Sequence, residues 1–287
     1  MKTACQTLNW SGNIFSVWGI NEMKKVFIYK NDVLRTLEIA ETLVNKLSAS
    51  GIDITDDTDE ADLILCVGGD GTLLNLMQNH EFPTVPVAGI NTGHLGFFQE
   101  IAPDKIDVFI KTFLSGELNV QPYNIAKADI IFKDGSEIAF RALNEFVIKG
   151  HGTHPVHLNI SINESFIERF SGDGIIVSTP AGSTAYNYSL GGALVDPRLN
   201  LLQVAPMAPM NNTAYRSLTS SILLPANDSL IIEPCDEQSA DLAILFDGQD
   251  KYFSDINSIE LCLSRRKINL VRFGGTTFWD KVKTKFL

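Results

Sequence analysis

The stretch LILCVGGDGTLLNLM, from Leu63 to Met77, constrains this chain more than any other. An apolar run ends in Gly68-Gly69-Asp70-Gly71-Thr72, and apolar residues then resume. A short apolar run bounded by glycine reads as a buried strand, and the resumed pattern reads as the start of a helix. Strand, tight turn and helix make half of a βαβ unit, which implies a parallel sheet covered by helices. The neighbouring segments follow the same grammar. KVFIYK at 25–30 reads as a strand, with Asn31 or Asp32 as the cap of a helix carrying Val33, Leu37, Ala40, Leu43 and Leu47. VPVAGIN reads as another strand, and PDKIDVFIKTFLSG as an amphipathic helix stopped by Gly116.

After Pro122 the grammar changes. NIAKADIIFKDGSEIAFRA is two strands joined by the hairpin turn Asp134-Gly135, and VHLNISINESFIERF turns at Asn163-Glu164. DGIIVST, SSILLP, SLIIEP, LAILFDGQ and SIELCLS continue a series of short strands that predicts a β-sandwich or barrel. FWDKVKTKF reads as a short closing helix. The boundary between the two grammars falls near residues 119–123.

Residues 1–22 contain apolar residues broken up by polar residues and glycines, so no signal peptide is expected there. A globular pattern starts abruptly at Met23, which suggests that Met23 is the natural start and that 1–22 is a disordered upstream extension. No stretch approaches about 18 uninterrupted apolar residues, so no membrane span is expected. The net charge of −11 argues against nonspecific nucleic-acid binding, which needs basic surface. It leaves room for a small phosphorylated ligand held by backbone N–H groups. Cys5, Cys66, Cys235 and Cys262 are dispersed and form no CxxC pair, which argues against a disulfide framework and favours a reducing, cytoplasmic setting.

A strand ending in glycines before a helix suits phosphate, because the backbone can come close and the helix N–H groups point at the anion. The Walker sequence is absent, and so is the G-x-G-x-x-G dinucleotide spacing. Asp70 is therefore the puzzle: a carboxylate beside a phosphate is repulsive. Either a bound Mg²⁺ offsets it, or the carboxylate faces an attacking hydroxyl and accepts its proton. The plain alternative is a helix N-cap that stabilises its helix by ~1 kcal/mol.

GGDGT resembles the signature of NAD kinases, shared more loosely with diacylglycerol and sphingosine kinases and phosphofructokinases. LNEFVI, with Asn144-Glu145, the block SGDGIIVSTPAGSTAYNYSLGG from Ser171 to Gly192, and FDGQ, with Asp247, Gly248 and Gln249, narrow the resemblance to NAD kinases over Lys24 to Leu287. The resemblance implies a Rossmann-like α/β domain over 23–122, an all-β NAD-binding sandwich over 123–258, and a segment 259–287 that returns to the first domain. It implies transfer of the γ-phosphate of ATP, or of polyphosphate, to the adenosine ribose 2′-hydroxyl of NAD, with Mg²⁺ or another divalent cation. The base would be Asp70. Gly71 would lie beside the nucleotide, and Gly68, Gly69, Gly71 and Thr72 would face the ATP phosphates. Asn144 and Glu145 would hold the adenine and ribose part of NAD, and Thr184, Ala185, Tyr186 and Ser189 would line the same substrate. Asparagine offers a donor and an acceptor to an adenine edge, glutamate accepts from ribose hydroxyls, and Tyr186 offers a face for stacking. Asp173 and Ala208 would serve the nicotinamide end, reaching it in relatives from a neighbouring subunit, which implies a homotetramer or homodimer. Gln249 would lie near the nucleotide and Phe97 over the site. The metal ligands are not identified.

Two positions depart from the family pattern. Ser171 stands where many relatives carry a basic residue, and Ala181 where relatives often have threonine or serine. His151, His154 and His157 invite a zinc hypothesis, but an extended chain puts His154 on the face opposite the other two. A solvated hairpin loop is the expectation there. The rival functions are a diacylglycerol- or sphingosine-type lipid kinase, and a non-catalytic NAD(P)-binding sensor.

Overall fold

The computed structural model describes residues 25–93, 96–152, 154–211, 213 and 216–287, and the backbone of strands Cys5–Leu8 and Ile14–Trp18. The chain divides into two compact units: Met1–Tyr123 with Lys267–Leu287, and Asn124–Arg266.

In the first unit, strands Lys25–Lys30, Asp53–Thr55, Leu63–Gly68 and Val87–Asn91 run parallel, with Val26 opposite Leu63 and Ile64 opposite Val87. Leu63–Gly68 lies between two of these neighbours and every residue of it is buried. That position explains its unbroken apolar sequence, since a central parallel strand is covered on both faces. Helices Leu34–Ala49 and Ile106–Leu114 press Ala40, Leu43, Leu47, Phe109 and Phe113 into the core with Leu63, Leu65 and Val67. Gly116, at φ 73°, ends the second helix in the left-handed region that glycine enters without penalty. The end of strand Ile256–Arg272 joins the parallel sheet through Leu270 opposite Val87.

Two expectations are corrected here. Within the segment expected to be a disordered extension, Cys5–Leu8 and Ile14–Trp18 form an antiparallel pair, and Ser16 sits opposite Val120 on strand Leu118–Phe132. IFSVW is rich in β-branched and aromatic residues, which favour a strand once an edge is available. The other correction concerns Asn31 and Asp32. Helix Leu34–Ala49 begins at N-cap Val33 with no side-chain cap. Asn31 instead accepts a bond from the Val33 amide and donates to Thr72 Oγ1 at 2.9 Å, tying the end of the first strand to the glycine turn.

The second unit is a β-sandwich. One sheet is antiparallel throughout, in the order Ile222–Pro225, Leu201–Met207, Gly174–Ser178, Glu145–Gly150, Leu242–Phe246, Gln249–Phe253. Against it lie Val156–Ile162, Ser165–Gly172 and Leu230–Pro234, with parts of the long strands Leu118–Phe132 and Ile256–Arg272. Phe146, Ile148, Val177, Val204 and Ile244 meet Ala128, Ile130, Leu158, Ile160 and Ile232 in one core. The boundary at residue 259 that the resemblance implies falls inside the continuous strand Ile256–Arg272, whereas the chain re-enters the first unit at Lys267. Strand Leu201–Met207 escaped the pattern reading because Gln203 and Pro206 interrupt its alternation; Gln203 is nevertheless fully buried and takes the Ala193 amide at 2.8 Å.

Candidate active site

In the first unit, Asp70 is the first residue of helix Asp70–Asn79, and Gly69 is the N-cap. The carboxylate does not cap its own helix. Its Oδ2 accepts the Phe97 N–H at 2.8 Å and its Oδ1 the Phe98 N–H at 3.1 Å. A carboxylate has about four lone-pair sites, so two remain after these bonds. The side chain is 28% exposed, which makes those sites reachable. The N-cap alternative is therefore replaced by a carboxylate clamped from a separate loop at the positive end of a helix.

The glycines of the turn divide into two kinds. A Cβ on Gly68 would lie 2.2 Å from Thr72 Oγ1, and one on Gly96 would lie 2.2 Å from Asp70 Oδ1, so packing demands glycine at both. A Cβ on Gly69 or Gly71 would meet nothing within 4 Å, and neither residue has positive φ. Neither packing nor backbone conformation demands glycine at 69 or 71. What glycine supplies there is room for close approach to the backbone, the arrangement a phosphate uses, although the Gly69 amide itself is on Thr72 Oγ1. Thr72, expected to face phosphates, is buried, with its hydroxyl engaged by Asn31 and the Gly69 amide. Gln99 steadies the turn by donating to Gly69 O at 2.8 Å. Burial pushes the neighbouring Cys66 thiol up to about 12, so it stays protonated and inert.

Phe97 is half-buried, and its ring packs on Phe278 and Phe286 of the closing helix Phe278–Phe286, each at 6.0 Å between centroids. The same helix inserts Lys281, 1% exposed, whose Nζ donates to Phe97 O and to Glu100 Oε1, both at 2.6 Å. Arg272 also reaches Glu100 at 2.6 Å. Burial holds the Lys281 ammonium below the ordinary lysine range, against the pull of Glu100. Sequence reasoning identified this helix and missed its lysines.

In the second unit, Asn144 and Glu145 sit where the chain enters strand Glu145–Gly150. Asp247, at the hairpin turn between Leu242–Phe246 and Gln249–Phe253, reaches back to them. It is buried, adopts φ 48°, and accepts the Leu143 N–H at 2.7 Å and the Asn144 N–H at 2.8 Å. Asp and Gly tolerate the left-handed region, and Asp247-Gly248, with φ 48° and 83°, forms the two-residue turn that hairpins favour. The block after Ser178 knots itself to the same corner. Thr179 donates its amide to Asn144 O at 2.9 Å and its hydroxyl to Leu143 O at 2.6 Å. A Cβ on Gly182 would lie 2.1 Å from Asn144 O. Thr184 Oγ1 turns to Ala181 O at 3.3 Å, and the Ala185 amide bonds Gly182 O at 2.9 Å.

This bracing leaves two buried acceptors without a partner among the described residues, Asn144 Oδ1 and Glu145 Oε2. Unpaired buried polar atoms are costly and rare, and Glu145 lines a cavity, so the pair points to a ligand. The cavity, of about 360 Å³, is lined by Glu145, Lys149, Tyr186, Asp247, Gln249 and Tyr252 among others. Tyr186 is 43% exposed, leaving part of its surface free for contact. Burial first, and the Asp247 charge second, push the Glu145 carboxyl up to about 8, with the Tyr186 amide pulling the other way.

The Glu145 shift has a measurable consequence. From its ordinary value of 4.5 to about 8, the unfolded chain ionises this group while the folded chain keeps it protonated. Stability therefore falls as pH rises through that window. Glu145→Gln is expected to match the wild type near pH 4 and to gain stability steadily up to pH 8, on the order of 4 kcal/mol. Thermal melts of both proteins across pH check it.

Asp173 and Ala208 lie apart from this corner. The Asp173 N–H bonds Met207 O at 3.0 Å, Ala208 adopts φ 44°, and both residues are exposed. In the sheet register Gly174 pairs with Lys149 while Ser178 pairs with Glu145, so Asp173 lies at the opposite end of the strand from Glu145. At ~3.4 Å per residue the separation is roughly 17 Å. Ser189 is exposed at the end of the short helix Tyr186–Ser189. Ser171 is fully buried, with Oγ 2.8 Å from His157 Nδ1 and its amide on Ser217 Oγ at 3.0 Å. His151 packs on Tyr252 and His154 is exposed. Among the described residues no group of His, Cys, Asp or Glu is placed to hold a metal ion.

Residues 54–118 match the family model for the ATP-NAD kinase N-terminal domain, and 143–273 match that for the ATP-NAD kinase C-terminal domain. The chain is 38% identical to the NAD kinase of Finegoldia magna over 273 residues, covering 93% of this chain and 99% of that one. This chain belongs to the NAD kinase family. It is also 33% identical to NAD kinase 1 of Listeria monocytogenes over 262 residues, 90% of this chain and 95% of that one. Among solved structures, yeast NADH kinase complexed with NADH shares the fold at TM-score 0.80 and 20% identity, over 95% of this chain and 90% of that one. An Archaeoglobus fulgidus NAD kinase in complex with ATP does so at 0.69 and 21%, over 86% and 93%. The two-unit α/β and β-sandwich architecture is thus that of NAD kinases.

Proposed function

We propose that this NAD kinase phosphorylates the adenosine ribose 2′-hydroxyl of NAD with the γ-phosphate of ATP, giving NADP and ADP. The observation that carries the reading is Asp70: a carboxylate fixed by two backbone amides, partly exposed, beside glycine backbone open to phosphate. In this reading the 2′-oxygen forms a bond to Pγ, the bond from Pγ to the β-phosphate oxygen breaks with its electron pair leaving on ADP, and the hydroxyl proton passes to Asp70. Positioning and charge balance do most of the work in such transfers. Asn144 Oδ1 accepts from the adenine amino group, Glu145 accepts from ribose hydroxyls, and Tyr186 and Gln249 complete the adenosine pocket. Thr184, Ala185 and Ser189 shape its wall, and the Gly69 and Gly71 backbone faces the donor phosphates.

The donor set beside the turn suits a Mg²⁺ ion carried by ATP. Glu100 is taken by Lys281 and Arg272, whereas Asp70, among the described residues, keeps lone pairs beyond those its two amide bonds use. Mg²⁺ commonly uses one carboxylate plus substrate phosphates and water. When bound it would neutralise charge on the bridging phosphate oxygens. Asp173 and Ala208 lie at the other end of the strand from Glu145, where they would serve the nicotinamide end of NAD; in the family pattern such residues can reach a neighbour's site, so the reading includes a homodimer or homotetramer. The free cysteines Cys66, Cys235 and Cys262 suit a cytoplasmic setting. Among the described residues no helix is long and apolar enough to cross a membrane.

The test is an assay of purified protein with Mg²⁺ and either ATP or polyphosphate, offering NAD and diacylglycerol in parallel. NADP formation with ATP is expected. Phosphatidate without NADP would overturn the reading in favour of a lipid kinase, and NAD binding without any turnover would make the protein a sensor.

A further inference from the structure

The closing helix Phe278–Phe286 begins with a turn that serves its own structure. Thr277 and Asp280 cap each other, with the Asp280 amide on Thr277 Oγ1 at 3.1 Å and the Thr277 amide on Asp280 Oδ2 at 2.9 Å. Phe278, Lys281, Lys285 and Phe286 then fall at helical spacing on the side that meets Phe97. The helix therefore embraces the residue whose amide clamps Asp70.

Three of these four contacts have a packing purpose. Phe278 and Phe286 cover the Phe97 ring, and Lys281 is consumed by Phe97 O and Glu100. Lys285 is different. Its Nζ stands 4.6 Å above the Phe97 ring and 3.9 Å from Asp70 Oδ2. At 3.9 Å the ammonium is beyond hydrogen-bonding range of the carboxylate, and a ring face takes up no more than one N–H direction. Its side chain is 30% exposed. A cation is thus held by two soft contacts beside the base, with donors to spare.

We infer that Lys285 binds the phosphoryl group being transferred, a terminal phosphate of a polyphosphate donor, at the Asp70 turn. The inference rests on the kinase reading above and adds a residue to it. The physical need is clear: as the hydroxyl attacks Pγ, its proton goes to Asp70, and the phosphoryl oxygens carry negative charge next to a carboxylate. Lys285 offsets that repulsion with the N–H donors its two soft contacts leave over, as a point charge suited to phosphate. Its place in the last turn of its helix also favours the cation through the helix dipole. No single stretch of sequence displays this arrangement, because Asp70 and Lys285 lie far apart in the chain.

Lys285→Met, Lys285→Arg and Lys283→Met test it, each read by Mg²⁺-ATP binding calorimetry and by steady-state kinetics. Lys283 is on the same helix and exposed, so its variant removes equal charge without touching the turn. Lys285→Met is expected to weaken ATP binding about tenfold and to lower kcat/KM for ATP by about 10–100-fold, with KM for NAD within about twofold. Lys285→Arg should recover most of the loss, and Lys283→Met should match the wild type. Unchanged ATP binding and kcat/KM in Lys285→Met would overturn the inference, and so would an equal loss in Lys283→Met. Calorimetry separates the two levels: if the wild type binds ATP but makes no NADP, the kinase reading fails while the Lys285 contact is still measured.

Discussion

Replacing Asp70 by asparagine is expected to lower kcat by about 10²–10⁴-fold, the usual contribution of a positioned general base, while KM for NAD stays within about threefold. The reasoning starts from the two amides that fix the carboxylate. Asparagine keeps one acceptor oxygen for the Phe97 or Phe98 N–H and points its NH₂ at the other. That mismatch costs ~1–3 kcal/mol of stability at most, because the site is partly exposed. The chemical loss is larger and of another kind, since an amide cannot take the hydroxyl proton. A thermal melt beside the kinetics separates the two effects. Near-normal turnover would mean that Asp70 only braces the 97–98 loop. A rise in KM for NAD with kcat intact would mean that it binds substrate without acting on it.

Asp247→Ala is expected to lower Tm by roughly 5–15 °C and to raise KM for NAD at least about tenfold. Asp247 accepts two buried backbone N–H bonds, from Leu143 and Asn144. Leaving each donor unpaired costs ~1–3 kcal/mol, and 1 kcal/mol moves Tm by about 2–4 °C in a chain of this size. Alanine also fits the left-handed backbone at φ 48° less well than aspartate. The consequence for binding is indirect: the two amide bonds hold the backbone that leads into Glu145, which lines the pocket. Asp247→Asn divides the effects. Asparagine tolerates the same backbone and keeps one acceptor, so Tm should fall less. It removes the charge that helps to hold the Glu145 carboxyl near 8, so the Glu145 titration should move down. If both variants melt like the wild type and bind NAD normally, Asp247 has no bracing role.

What could be read from sequence is what the chain encodes locally. The apolar run Leu63–Val67 meets the glycine turn directly, so the central strand, the turn and the helix after it were visible together. The hairpin turns at Asp134-Gly135 and Asn163-Glu164 announced themselves in the same way, by residues that accept positive φ. The β-rich half was legible as a series of short strands, although Leu201–Met207 hid behind a buried glutamine. The candidate residues Asn144, Glu145 and Tyr186 came from family resemblance. The structure adds the reason they stand where they do, a corner knotted by Thr179, Gly182 and Asp247.

Distant partnerships were not legible. Asp247 lies 103 residues beyond the Asn144 amide it holds. Lys281 lies 184 residues beyond the Phe97 carbonyl it binds. The donors that clamp Asp70 are main-chain amides of Phe97 and Phe98, which no side-chain pattern reveals. Nor does a motif show where its hydroxyls turn: those of Thr72 and Thr184 both bond within the protein.

The most direct test of the account is a crystal structure of the protein with NAD bound, read at a single distance. The account places the adenosine 2′-oxygen within hydrogen-bonding reach of an Asp70 oxygen, about 3 Å, on a lone pair left free by Phe97 and Phe98. A bound dinucleotide whose 2′-hydroxyl points elsewhere, with the Asp70 carboxylate out of reach, would contradict it.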